Sequence, residues 1–74
     1  MSYIPKPKPC FIDDLEKYKV IGNTQVYKKN DKYYTWDGLH GEIEVFNKRG
    51  YHIMVLDPDG NQIKDAVKGR HIDV

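Results

Sequence analysis

Cysteine is almost missing from this chain. Cys10 stands alone among 74 residues, so no internal disulfide can brace the fold, and no Cys/His pair has the spacing of a zinc site. Long hydrophobic runs are missing too. The longest, Ile53-Met54-Val55-Leu56, falls far short of the ~20 apolar residues that cross a bilayer as a helix, so no membrane-spanning segment is expected. No basic-plus-apolar leader opens the sequence, and export is expected to depend on something larger. Nor is there a large excess of one charge: the formal net charge is +1, which argues against a generic nucleic-acid binder.

What is present suits one small folded domain with a modest core, at 39% hydrophobic and 31% charged residues. The charge is unevenly divided. Residues 1–36 hold seven lysines against four acids, whereas residues 37–74 hold five basic residues against seven acids. A polyanion could bind only where a few cations are focused on one site.

Proline and lysine alternate through Ile4-Pro5-Lys6-Pro7-Lys8-Pro9, which predicts an extended linker over residues 1–9. Residues 10–74 then form a single domain. Phe11, Leu15 and Tyr18 recur at helical spacing with acids early in the segment, predicting a short helix within residues 10–22. From residue 23 the period is two. Strand-like runs at 24–29, 33–36, 42–47, 51–57 and 61–64 are separated by legible turns. Asn47-Lys48-Arg49-Gly50 and Asp57-Pro58-Asp59-Gly60 each have the chemistry of a type I turn closed by a left-handed glycine. The expected fold class is α+β, mainly β: a short N-terminal helix packed on a strongly twisted antiparallel sheet of about five strands.

Counting from those turns sets Asn47 opposite Tyr51, Phe46 opposite His52 and Glu44 opposite Met54, with Asp57 opposite Asn61 and Met54 opposite Lys64. One face then carries Ile43, Val45, Tyr51, Ile53, Val55 and Ile63 as core. The other carries Glu42, Glu44, Phe46, His52, Met54 and Lys64. Just before this meander, Trp36-Asp37-Gly38-Leu39-His40-Gly41-Glu42-Ile43-Glu44 projects an imidazole from a glycine-flanked loop between carboxylates.

That mixture suits RNA cleavage by general acid–base chemistry, which needs no cofactor. Glu44 would take the proton of the attacking 2′-hydroxyl, His40 would protonate the leaving 5′-oxygen, and Asp37 would hold the His40 tautomer. Lys64 and Arg70 would bind phosphate, Phe46 would stack on a base, and His52 would join the RNA contact. Asp37, His40 and Glu44 could instead coordinate a metal, although the set has little specificity. On spacing alone an ordinary polar sheet surface is favoured.

Taken together, Tyr34-x-Trp36-Asp37-x-x-His40-Gly41-Glu42-Ile43-Glu44, Gly50-x-His52, Asp57-Pro58, Gly60-Asn61-Gln62-Ile63-Lys64 and Arg70 resemble the C-terminal cytotoxic ribonuclease domain of ribosome-inactivating colicins and cloacin. The likeness runs from about Lys32 to Arg70. Residues 1–31 show no such likeness, and this unrelated front end suggests a cousin of the colicins, such as the toxin tip of a contact-dependent growth inhibition protein. The resemblance implies cleavage of small-subunit ribosomal RNA at the decoding site, without metal, yielding 2′,3′-cyclic phosphate. It implies two partners, the ribosome and a cognate immunity protein. It also implies the C-terminal part of a larger secreted or cell-surface toxin, delivered into the target bacterium's cytoplasm. The family's catalytic Asp, His and Glu match Asp37, His40 and Glu44, and its Lys and Arg match Lys64 and Arg70. Two departures stand out: the family's tyrosine two residues beyond the catalytic Glu is Phe46 here, and the family's strong basicity is absent. The competing readings are a nuclease with another RNA target such as tRNA, and a non-enzymatic β-sheet binding module.

Overall fold

The computed structural model describes residues 3–74. Six strands follow one another in a single antiparallel meander, β1 (Glu16–Ile21), β2 (Thr24–Lys29), β3 (Lys32–Asp37), β4 (Glu42–Phe46), β5 (His52–Leu56) and β6 (Gln62–Asp65), paired in that order. The five strands expected from alternation are β2 to β6. The sixth, β1, replaces most of the expected helix.

Only Phe11–Asp14 turn helically, as a single 3-10 turn. Leu15 is extended, at φ −85° and ψ 154°. The reason is non-local. Tyr18, Val20 and Ile21 favour strands, and Gly22 and Asn23, at φ 50° and 67°, form a tight two-residue loop that returns the chain onto β1. Pairing with β2 supplies backbone partners that a short isolated helix would lack. The face Phe11–Leu15–Tyr18 is not the one that anchors this segment; Ile12 is, at 0% exposure.

The expected linker is docked. Ile4 N–H donates to the Gly38 carbonyl at 2.7 Å, the Trp36 indole donates to the Ile4 carbonyl at 2.8 Å, and Lys6 pairs with Asp13. Residues 1 and 2 of that stretch lie outside the described residues.

Both glycine-closed turns form as read. Asn47 and Tyr51 bond across the first and Asp57 and Asn61 across the second, each at 2.8 Å, with Gly50 and Gly60 at φ 89° and 93°. Beyond them the register departs from simple counting. A bulge at Ile53 sets Glu44 opposite Val55 and Val45 opposite Met54, and a bulge at Ile63 sets Val55 opposite Lys64. Val55 therefore shares a face with Glu44, while Tyr51 and Ile63 are exposed.

The sheet carries apolar packing on both faces. On one, Cys10, Ile12, Tyr34, Ile43, Val45 and Leu56 form the larger core, with the N-terminal segment laid over it. On the other, Val26, Tyr33 and Phe46 pack with Ile21, Ile72 and Val74 as the C-terminal tail folds back. No helix of the described residues is long and apolar enough to cross a membrane.

Gly50 marks where that tail touches the sheet. The Ile72 amide donates to the Gly50 carbonyl at 2.8 Å, and a Cβ on Gly50 would run into the Ile72 carbonyl oxygen. Gly50→Ala combines that clash with a left-handed backbone costing a side chain ~1–2 kcal/mol. A loss of about 2 kcal/mol or more is expected, lowering Tm by roughly 8–16 °C in calorimetry. An unchanged Tm would show that the tail is not held there.

Candidate functional site

Cross-strand pairing lays Val26, Thr35, Glu44, Val55 and Lys64 in one row from β2 to β6. Asp37 and Glu42 form the next row on that face, and Tyr33, Phe46 and His52 form the row on the other side. The two bulges compensate, so Glu44 and Lys64 share a row although Val55, not Met54, stands between them.

Asp37 closes β3 and organises the loop after it. Its carboxylate accepts from His40 Nδ1 at 2.8 Å and from the backbone amides of Leu39 and His40 at 3.0 and 3.3 Å. Partial burial alone would raise the Asp37 pKa, but these bonds outweigh it and hold the group below the usual carboxylate value. An ionised carboxylate can only accept, so the His40 proton sits on Nδ1 and Nε2 is left for other partners. The His40 side chain is 59% exposed. Behind the loop, the Ile4 side chain lies against Gly41, which sits at φ 68°. Glu42 completes this group. Its carboxylate pairs with Lys64 Nζ at 3.0 Å, and ligand atoms of Asp37, His40 and Glu42 lie within 4.8 Å of one another.

Glu44 anchors a second group two residues along β4. One of its oxygens pairs with the Arg70 guanidinium and faces His52 Nε2 at 3.6 Å. Arg70 arrives from the tail, whose backbone is tied to β5: the His52 amide donates to the Arg70 carbonyl at 3.0 Å. The His52 ring is enclosed. Nδ1 accepts the Val67 amide at 2.8 Å, which puts the ring proton on Nε2, and among the described residues Nε2 has no hydrogen-bond partner.

The structure thus brings Asp37, His40, Glu44, Lys64 and Arg70 onto one face, in two adjoining clusters. Two other expected site residues are placed differently. Phe46, expected to stand exposed for base stacking, is 2% exposed between Val26 and Tyr33, because the returning tail gives this face a core of its own. His52, expected to contact RNA, has a side chain with 0% exposure and touches Glu44 and the tail instead. Glu42 was given no role from the sequence, although its period-two relation to Glu44 was the available signal. Only part of this face is open: the returning tail packs over Val26, Tyr33 and Phe46, while His40 and Lys64 are exposed. Recesses lie elsewhere, one lined by Cys10, Phe11, Leu15 and Lys28 and another by Tyr3, Lys6, Tyr27 and Trp36.

Residues 22–73, which carry every side chain of both clusters, match the model of a family described as Cytotoxic. The chain belongs to that cytotoxic family. The match fits a domain of the colicin and cloacin ribonuclease type, and a toxin with nuclease-type activity. No curated protein matches the chain. The cytotoxic match spans β2 to β6 with most of the tail, and stops short of β1.

Burial pushes the His52 pKa below its ordinary value. The unfolded chain therefore takes up a proton on this residue at higher pH than the folded cytotoxic domain does. Its contribution to stability is complete above about pH 6.5 and is lost as pH falls toward the lower folded value. Protonation would also set a second N–H against the Val67 amide. Below about pH 4, Asp37 and Asp57, both held low, add a separate loss. Tm should fall between pH 7 and pH 5, and His52→Gln should be less stable at pH 7 yet flatter across that window. Parallel curves for parent and variant would remove His52 as the cause.

Proposed function

We propose that this cytotoxic domain is a metal-independent endoribonuclease that cuts small-subunit ribosomal RNA at the decoding site and blocks translation. One observation carries the reading: Glu44 and an Asp37-anchored His40 share one sheet face with a guanidinium and an ammonium.

The chemistry follows from that set. Glu44 takes the proton of an RNA 2′-hydroxyl, whose oxygen attacks the adjacent phosphorus. The bond from phosphorus to the 5′-oxygen breaks, and His40 Nε2, protonated for the step, delivers its proton to that oxygen. The products are a 2′,3′-cyclic phosphate and a 5′-hydroxyl. Each proton transfer contributes roughly 10²–10⁴ in rate. Arg70 has five N–H donors, enough to keep Glu44 in place while meeting a phosphate oxygen, and Lys64 adds a mobile positive charge beside it. His52 acts as a positioning residue: it holds the tail that delivers Arg70 and fills the space behind Glu44.

A second reading takes the Asp37, His40 and Glu42 atoms within 4.8 Å as a metal site in a nuclease with another target such as tRNA. Lys64 weighs against it, because its ammonium already neutralises Glu42. The likeness to colicin and cloacin domains supports the C-terminal part of a larger secreted or cell-surface toxin, delivered into the cytoplasm of a target bacterium. It also supports a cognate immunity protein in the producer.

Expressing the domain without an immunity protein should stop translation and leave a single new end in small-subunit ribosomal RNA. Glu44→Gln and His40→Ala should each lower cleavage at least ~100-fold with the circular dichroism spectrum unchanged. Full killing by either variant would overturn its role, and activity abolished by a chelator would favour the metal reading.

A further inference from the structure

β1 lies outside the residues that match the cytotoxic family, yet it is hydrogen-bonded into the same sheet. Its register places some of its side chains on the Glu44 face. Lys19 stands opposite Val26, which extends the Glu44 row by one strand, and Lys28 stands opposite Tyr33 in the row of Phe46 and His52. Between Lys17 and Lys19 the pairing slips, and Tyr18 is the extra residue. Its ring meets Tyr33 with centroids 5.0 Å apart. The Lys19 and Lys28 ammonium groups lie 5.5 and 5.6 Å from the Tyr18 ring centre, and Lys28 is also 5.9 Å from the Tyr33 ring centre. Cation–π attraction to the exposed Tyr18 ring, worth about 0.5–1 kcal/mol for each lysine, gathers two otherwise flexible cations at one spot.

The rest of the face makes that spot significant. Around the cleavage centre stand Asp37, Glu42 and Glu44, and the two cations beside them, Lys64 and Arg70, are engaged by Glu42 and Glu44. A polyanion approaching this centre meets three carboxylates and two shared cations. Among the described residues Lys19 and Lys28 are in no ion pair. Lys17 and Lys29 are directed elsewhere, Lys17 being opposite Tyr27 of the other face and Lys29 lying over Phe11.

We propose that Lys19 and Lys28, gathered over Tyr18, form a backbone-phosphate subsite that grips single-stranded RNA to one side of the bond being cut. The proposal rests on the reading of the Glu44 face as RNA-cutting. Three strand spacings of ~4.8 Å separate the Lys19 and Glu44 positions, about 14 Å. That is roughly four stacked nucleotides at ~3.4 Å each, and fewer if the strand is extended. Val26 and Thr35, between those positions in the row, are buried, with Ile72 and Val74 packed at Val26, so the strand would pass over the tail on its way to Glu44. Two cations without an ion pair at that distance suit the repeated phosphates of an RNA backbone, and RNA is the occupant.

The test uses the whole 74-residue chain in the Glu44→Gln background, so that binding is read without cleavage. The probes are a fluorescein-labelled single-stranded RNA of about twelve nucleotides and a dinucleotide. Adding Lys19→Ala and Lys28→Ala should weaken binding of the longer probe about tenfold, with the slope of log affinity against log salt shallower by ~1.4, two phosphate contacts' worth on a single strand. Dinucleotide affinity should not change, and the Lys19→Arg, Lys28→Arg pair should retain the slope. An unchanged slope and affinity for the longer probe would overturn the subsite and leave these lysines to an acidic protein partner. Because the readout is binding, a parent chain that fails to cut ribosomal RNA would sink the catalytic reading while this measurement still decided the subsite.

Discussion

Alternation along β4 is the constraint on which the site depends. Ile43 and Val45 are buried in the larger core, and pleating then sends Glu42 and Glu44 to the opposite face. A one-residue slip would exchange the two sets. It would expose two side chains worth roughly 1.5–3 kcal/mol each and bury two carboxylates at several kcal/mol apiece. Against a total stability of ~5–15 kcal/mol, no such slip is tolerable. Glu44, the proposed base, is therefore directed to its face by hydrophobic burial on the far side of the sheet, and Arg70 then pairs with it on its own side.

The two chain ends complete what the sheet begins, on opposite faces. The N-terminal segment covers the larger core through Cys10 and Ile12, and Ile4 supports the loop that presents His40. The C-terminal tail crosses the other face, tied at Gly50 and His52, and carries Arg70 to Glu44. A meander this small buries little by itself. Covering both faces with the termini adds core and, by the same contacts, fixes two of the site's side chains. Stability and site assembly are consequently hard to separate near His52, where an imidazole with no exposed surface meets the tail amide on one side and Glu44 on the other.

Local chemistry made much of this legible. Type I turn and glycine signals identified both later hairpins, and a carboxylate three residues before His40 pointed to the Asp37 contact. Three features were not local. Gly22-Asn23 reads equally as a stop or as a hairpin loop, and only pairing with β2 decides for β1. Ile53-Met54-Val55-Leu56 is apolar throughout, so its pattern has no period from which the bulge at Ile53 could be read. Burial of Phe46 and His52 depends on Ile72 and Val74 folding back from ~20 residues further along, which no window of sequence reveals. The last of these also bears on the departure from the family at Phe46. Packed edge-on to His52 with ring centres 5.4 Å apart, the ring sits where a buried hydroxyl would need a partner, and phenylalanine makes no such demand.

The near-zero net charge, unexpected for the proposed action on RNA, takes on meaning once the strands are laid out. Charge is segregated along the chain, and a meander in sequence order converts that segregation into a gradient across the sheet, lysine-rich at β1 and β2 and acid-rich toward β4. A uniformly basic surface would hold any RNA anywhere on the domain. On the proposed reading a graded one draws backbone phosphates to one edge, while at the other Lys64 and Arg70 are paired with Glu42 and Glu44 and add no surplus positive charge. Low net charge and catalysis on a polyanion are then compatible, because the relevant quantity is the potential along the path to Glu44 and not the total.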